Sequence, residues 1–213
     1  MDRIKKLCSY LDKCTVFADV GCDHGYCTRF MLKNGLCERA IISDISEKCL
    51  KKAESLLSAY ILSGKVKPVC CSGLEKIEGA DAVLIAGMGG DEITEILKNS
   101  YIPENFVFQP MKNVRKVREF LLENCAEIIL DEPFESFGKF YFVIKGKKNG
   151  KKIFYSEAQL EYGLNSASAD SRKYLLSELN KKLLYLERPL NEQTRTKIEK
   201  EVGILKEVLD YES

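Results

Sequence analysis

Two clusters in this chain have the residue types and spacing to hold a nucleotide-like ligand. The first is Asp19-Val20-Gly21-Cys22-Asp23-His24-Gly25, with Asp44 lying 23 positions beyond Gly21. Small residues at 21 and 25 let a ligand approach the main chain, and a helix opening just after them offers unpaired N–H groups. An acid at about that distance from a glycine turn reaches the hydroxyls of a ribose, which one carboxylate accepts together. Asp44 could instead cap the helix that follows it. The second cluster is Ala86-Gly87-Met88-Gly89-Gly90. Its glycines admit close backbone contact and Met88 can fill an irregular gap against a ring, although such a cluster also serves as a plain turn before a helix.

The type of nucleotide follows from what the first loop lacks. A dinucleotide fingerprint would carry glycine at 23 and 26, where this chain has Asp23 and Tyr26. A pyrophosphate would be repelled by Asp23. S-adenosylmethionine has no phosphate and carries a sulfonium and an ammonium, so Asp19 and Asp23 become favourable neighbours.

The elements that must position these loops alternate along the chain. A short helix is expected from residue 3 to 11, then strands at Thr15–Val20, Ala40–Ile42, Val66–Cys71, Ala82–Ala86 and Phe106–Gln109. Helices are expected at Tyr26–Asn34, from a Ser46 cap through Leu62, at Asp91–Lys98 and at Val114–Glu123. Continuous apolar strands separated by helices imply a parallel sheet covered on both faces. Glu127–Leu130 and Lys139–Lys145 read as an edge hairpin, making seven strands with the last one reversed. Beyond Gly150, Leu176, Leu179, Leu183, Leu186 and Leu190, then Ile198, Val202, Leu205 and Leu209, recur at steps of three and four. That spacing predicts an antiparallel coiled-coil hairpin for packing or dimerising. The expected architecture is α/β: a Rossmann-like sheet unit over residues 1–152 and a helical unit over 153–213.

Bulk properties narrow the function classes. The 213 residues suit one full domain with an appendage, and 45% hydrophobic with 31% charged residues is the balance of a folded chain. A formal charge of +1 gives no global pull toward nucleic acid or membrane, so a polyanion site must be local. Nine cysteines with no Cys-x-x-Cys pair and one histidine argue against zinc, and for reduced thiols in a cytoplasmic protein. The start Met-Asp-Arg does not read as a signal peptide, and no apolar run approaches a membrane span.

With these residues in view, the chain resembles the bacterial tRNA (adenine-22-N1)-methyltransferases, class I S-adenosylmethionine enzymes with a helical C-terminal domain. The likeness rests on Ala18-Asp-Val-Gly-Cys-Asp-His-Gly-Tyr26, Ile85-Ala-Gly-Met-Gly-Gly90, Gln109-Pro110 and Gly138-Lys-Phe-Tyr141. Departures are mild: Cys22, Gly25 and Asp44 stand where the family more often has Ser or Thr, Ala and Glu. The resemblance implies that Asp19, Gly21, Asp23 and Gly25 form the cofactor loop and that Asp44 with Ile45 holds the ribose. It implies that Gly73 and Leu74 border the adenine, that Ala86, Gly87, Met88 and Gly89 close the pocket, and that Asp23, His24 and Tyr26 face the methyl group. Met88, Gln109, Pro110 and Tyr141 would line the target base. A lone histidine is also often structural.

Adenine N1 has an in-plane lone pair at neutral pH, so positioning does most of the work and Asp23 is the candidate to stabilise charge developing on the ring. Two acid-free basic stretches, Lys112–Arg118 with Lys112 and Arg115, and Lys139–Lys152, could track tRNA phosphates or be solvated surface. The expectation is a monomer or weak dimer with tRNA, and neither DNA nor membrane, as partner. Rival readings are a methyltransferase for a protein or small molecule, and a non-catalytic binding module.

Overall fold

The computed structural model describes residues 2–148, 154–164 and 168–210. The expected boundary at 152/153, and Lys151 and Lys152 of the second basic stretch, lie outside the described residues. Strands β1 (Val16–Val20), β2 (Arg39–Asp44), β3 (Val66–Cys70), β4 (Ala82–Met88), β5 (Asn105–Pro110), β6 (Glu127–Ser136) and β7 (Lys139–Lys147) form one sheet in the order β3-β2-β1-β4-β5-β7-β6. Strands β1 to β5 run parallel, and β7 is antiparallel to both β5 and β6. Around the sheet lie α1 (Arg3–Cys8), α2 (Tyr26–Lys33), α3 (Glu47–Leu62), α4 (Gly90–Lys98) and α5 (Val114–Glu123), followed by α6 (Glu157–Tyr162), α7 (Ala169–Leu186) and α8 (Glu192–Asp210).

Neighbouring residues of each central strand feed opposite cores, which is why the strands read as continuous apolar runs. Phe17, Ile42, Leu84 and Val107 pack with α1, α2 and α3. Ala18, Ile41, Val83, Phe106 and Phe108 pack with α4 and α5. The chain steps outward from β1 to β3 and returns on the other side of β1 with β4, so a crevice opens at the carboxyl ends of β1 and β4.

Several element boundaries differ from expectation. Helix α1 stops at Cys8, although Leu11 still reaches the core. Strand β6 runs on to Ser136, because Pro133, like Asp131 and Glu135 on either side of it, points its main chain away from β7 and so costs no ladder bond on the outer edge of the sheet. It turns into β7 through Phe137 and Gly138, both at positive φ (48° and 74°), the two-residue geometry that matches strand twist.

On α7 only part of the expected stripe turns inward: Leu179 packs on the core, but the most buried leucine is Leu175. Leu175 is 2% exposed, whereas Leu176 and Leu183 are 42% and 39% exposed. The reason is that α7 packs on more than α8. Tyr174 sets its ring edge-on against Phe140 and Phe142 of β7, at 5.3 and 5.1 Å, and Leu175 meets Tyr162 of α6 and Leu205 and Leu209 of α8. The α8 residues Ile198, Val202, Leu205 and Leu209 are all buried as their spacing predicts.

Helix α6, which the leucine pattern does not reveal, is tied down by Arg118. This fully buried guanidinium donates to both oxygens of Asp131, at 2.7 and 2.9 Å, and to the carbonyls of Leu160 and Glu161 at 2.9 and 3.0 Å. Phe142 lies under it at 4.8 Å. One side chain thus joins α5, β6 and the end of α6.

Candidate active site

At the crevice between β1 and β4 lies a cavity of about 720 Å³, lined by the Asp19–His24 loop, Tyr26, Ser43 to Ile45, Gly73 and Ala86 to Met88. That is within the usual volume of small-molecule sites, on the order of 300–1,000 Å³. Gly21 has φ +70°, and a methyl group there would stand 2.1 Å from Met88 Cε. The Met88 side chain from the second cluster therefore stands directly against Gly21 of the first, where any larger residue would clash. The hydroxyl of Ser43, buried on the same wall, has no partner among the described residues.

The wall carries Asp19, Asp23, Asp44 and Glu92. Asp19 is buried and accepts the hydroxyl and N–H of Thr28 at 2.8 and 3.3 Å. Burial pushes its carboxyl up to about 6, against the partial relief of those two bonds. Asp44 accepts the N–H of Ser46 at 2.9 Å and that of Asp23 at 3.3 Å. A carboxylate has about four acceptor positions, so two remain for a diol. Capping of α3 falls instead to Ser46, whose hydroxyl accepts the N–H of Cys49.

Asp23, at positive φ (42°), pairs with Lys52 of α3 at 2.9 Å and stands 3.5 Å from His24 Nε2. The hydrogen bond from Lys52 is the main cause holding its carboxyl below the usual carboxylate range. The His24 and Tyr26 rings stack at 5.4 Å and 17°, half-exposed at the cavity mouth.

Several expected residues stand elsewhere. Gly25 does not line the cavity. It caps α2 and packs against Ala53 and Leu57. Leu74 turns into the core under α4, while Gly73 stays on the wall. Gly89 is the cap of α4, its N–H bound by Glu92 at 2.6 Å. Gln109 and Pro110 are buried behind the wall. Tyr141 stacks on Phe134 at 5.7 Å.

The basic stretches are largely neutralised. Arg115 pairs with Glu119, Glu157 and Glu161, Lys116 with Asp91, Lys145 with Asp12 and Lys147 with Glu127, while Arg118 is interior. Lys112 lies over Gly89 beside the cavity. The residue missed from sequence is Arg3 of α1, which reaches the cavity wall and donates to Gln109 Oε1 at 3.2 Å. Its one sequence signal is a position on a short amphipathic helix, which says nothing about reach.

Comparison with known proteins matches this geometry. The family profile described as Methyltransferase domain covers residues 1–144. A Mycoplasma pneumoniae protein bearing the provisional name tRNA methyltransferase is 30% identical over 168 residues, 77% of this chain and 78% of its own. The Bacillus subtilis tRNA (adenine(22)-N(1))-methyltransferase is 27% identical over 76% of this chain and 71% of its own. The crystal structure of the B. subtilis tRNA methyltransferase TrmK superposes with a TM-score of 0.83 at 25% identity, covering 97% of each chain. That of M. capricolum TrmK with S-adenosylhomocysteine shares the fold, with a TM-score of 0.85 at 23% identity over 98% of this chain and 96% of that one. A glycine-lined, acid-walled crevice at the switch point of this sheet is thus accompanied by kinship along most of the chain, and the protein belongs to the methyltransferase domain family, among the bacterial tRNA methyltransferases.

Proposed function

We propose that this protein transfers a methyl group from S-adenosylmethionine to N1 of an adenine in tRNA, at position 22. The observation that carries the reading is the cavity itself: Gly21, Gly73 and Gly87 on its wall at the switch point, and an acidic lining suited to a ligand with two cationic centres. When bound, the cofactor supplies an electrophilic methyl on sulfur. The residues present fit it. Asp19 is the partner for the ammonium, the backbone at Gly21 and Ala86 to Met88 allows close approach, and Asp44 with Ile45 takes the ribose end.

The chain's own contribution is orientation and charge. Asp23, kept ionised by Lys52, stands at the mouth where positive charge develops on a methylated adenine. The stacked His24 and Tyr26 rings offer a face for an unstacked base. No proton has to leave N1 before attack, so alignment of the ring dominates. In this reading residues 1–152 perform the chemistry, and 153–213 with Lys112 help hold the RNA. The working unit is a monomer or weak dimer in the cytoplasm, with tRNA and neither DNA nor membrane as partner. No helix among the described residues is long and apolar enough to cross a membrane.

The test is direct: incubate purified protein with unmodified tRNA and methyl-labelled cofactor, and map the label. Methyl on N1 of adenine 22 is expected. Label on another nucleotide, or none, overturns the assignment.

A further inference from the structure

We propose that Arg3 is the receptor for the α-carboxylate of the methyl donor, forming with Asp19 a two-sign clamp on its amino acid end. The inference rests on the cofactor reading above and adds a residue that neither the glycine motifs nor the acidic wall supplies.

The argument begins with charge. The donor's amino acid end carries an ammonium and a carboxylate on the same carbon. The acids on the cavity wall suit the ammonium and the sulfonium, but they repel the carboxylate. Among the lining residues Arg3 is the one permanent cation, since His24 is the only other basic group there. Its guanidinium is placed without being consumed. Nη1 donates to Gln109 Oε1 at 3.2 Å and lies 3.3 Å from Met111 Sδ, and the group rests over the Tyr141 ring at 5.6 Å. No carboxylate pairs with it among the described residues, and its Nε and Nη2 make no hydrogen bond there. Arg115 and Arg118, by contrast, are both paired with acids.

Position points the same way. Because the ammonium and carboxylate hang on one carbon, their partners must flank one end of the cavity. Arg3 Nη1 would be 3.9 Å from a methyl group placed on Gly87, at the end of β4, the strand paired with the one bearing Asp19. Gln109 and Tyr141 hold the guanidinium in place. A planar fork with free parallel donors suits a carboxylate in two-point contact.

The experiment is calorimetric binding of S-adenosylhomocysteine and of its decarboxylated analogue to the full chain and to Arg3→Met and Arg3→Lys. For Arg3→Met we expect affinity for S-adenosylhomocysteine to fall roughly tenfold to a hundredfold, the usual range for a lost charged hydrogen bond, and affinity for the analogue to change less than about twofold. Arg3→Lys should recover part of the loss. The analogue doubles as the folding control, since a misfolded variant would lose both ligands. Equal losses for both ligands would overturn the proposal in favour of a wall-packing role. Unchanged binding of both, with a raised KM for tRNA, would overturn it in favour of RNA contact. If the parent chain binds neither ligand, the cofactor reading itself fails.

Discussion

Replacing Asp19 with Asn separates the cost of a buried charge from its use. Burial pushes this carboxyl from 3.8 to about 6 in the folded chain. About two pH units at about 1.4 kcal/mol each means that the ionised group weakens the ligand-free fold by about 3 kcal/mol at neutral pH. The folded state holds the proton more tightly than the unfolded chain. The penalty is therefore absent below about pH 4, grows between about 4 and 6, and is complete above that. An amide oxygen can still accept the two Thr28 donors, so the substitution removes the charge with little loss of bonding. For a domain of this size about 1 kcal/mol moves Tm by about 2–4 °C, and part of the gain goes to placing the new NH2 group. We expect ligand-free Asp19→Asn to melt roughly 3–10 °C above the parent at pH 7, with the gap closing as the pH falls from about 6 to 4. Its thermal shift with S-adenosylhomocysteine should vanish, because a neutral amide cannot balance the ammonium. Scanning calorimetry at several pH values reads both effects. A variant that melts below the parent at pH 7, or a gap that ignores pH, would refute the reasoning.

Asp23→Asn should lower turnover far more than cofactor affinity; wild-type turnover with intact binding removes Asp23 from the mechanism. Arg118→Met strands the buried Asp131 charge and should cost about 3–5 kcal/mol in chemical denaturation, while adding Asp131→Leu should restore much of it. A double variant no better than the single would show that the pair is not the tie to α6. Lys112→Ala should reduce the salt dependence of tRNA binding by about one unit of log–log slope, whereas Arg115→Ala should leave it nearly unchanged. Equal effects on filter binding would mean that the ion pairs of Arg115 open on the RNA.

The sheet was legible because its strands are apolar on both faces and end at glycine loops, a pattern that few other architectures share. In the fold Ala18, Ile41 and Val83 serve one core and Phe17, Ile42 and Leu84 the other, so strands apolar on both faces leave the register to the packing of the helices. The helical end was half legible. Helix α8 buries the expected stripe, yet α7 packs against β7 and α6 as well as α8, and a heptad pattern registers only one partner. Helix α6 is short and is fixed by Arg118, so its cause lies 42 residues upstream, where periodicity does not look.

Charge was the least legible property, and the reason is general to sites built from several elements. A run such as Lys112-Asn-Val-Arg-Lys-Val-Arg118 has no acid within it, but Arg115, Lys116 and Arg118 each find one supplied from elsewhere in the fold or from the next turn. Arg3, in the short first helix, lines a cavity with four acids and pairs with none of them. The acids are occupied too: Asp19 by Thr28, Asp23 by Lys52, Glu92 by the Gly89 N–H, and Asp44 by two backbone donors. Those partners hold the carboxylates at fixed positions while leaving lone pairs toward the cavity, so little reorganisation is needed when a cationic ligand enters. The electrostatics of the site therefore reside in which charges the fold leaves available, and that depends on contacts between β1, α1, α2 and α3 rather than on the local sequence around any one of them.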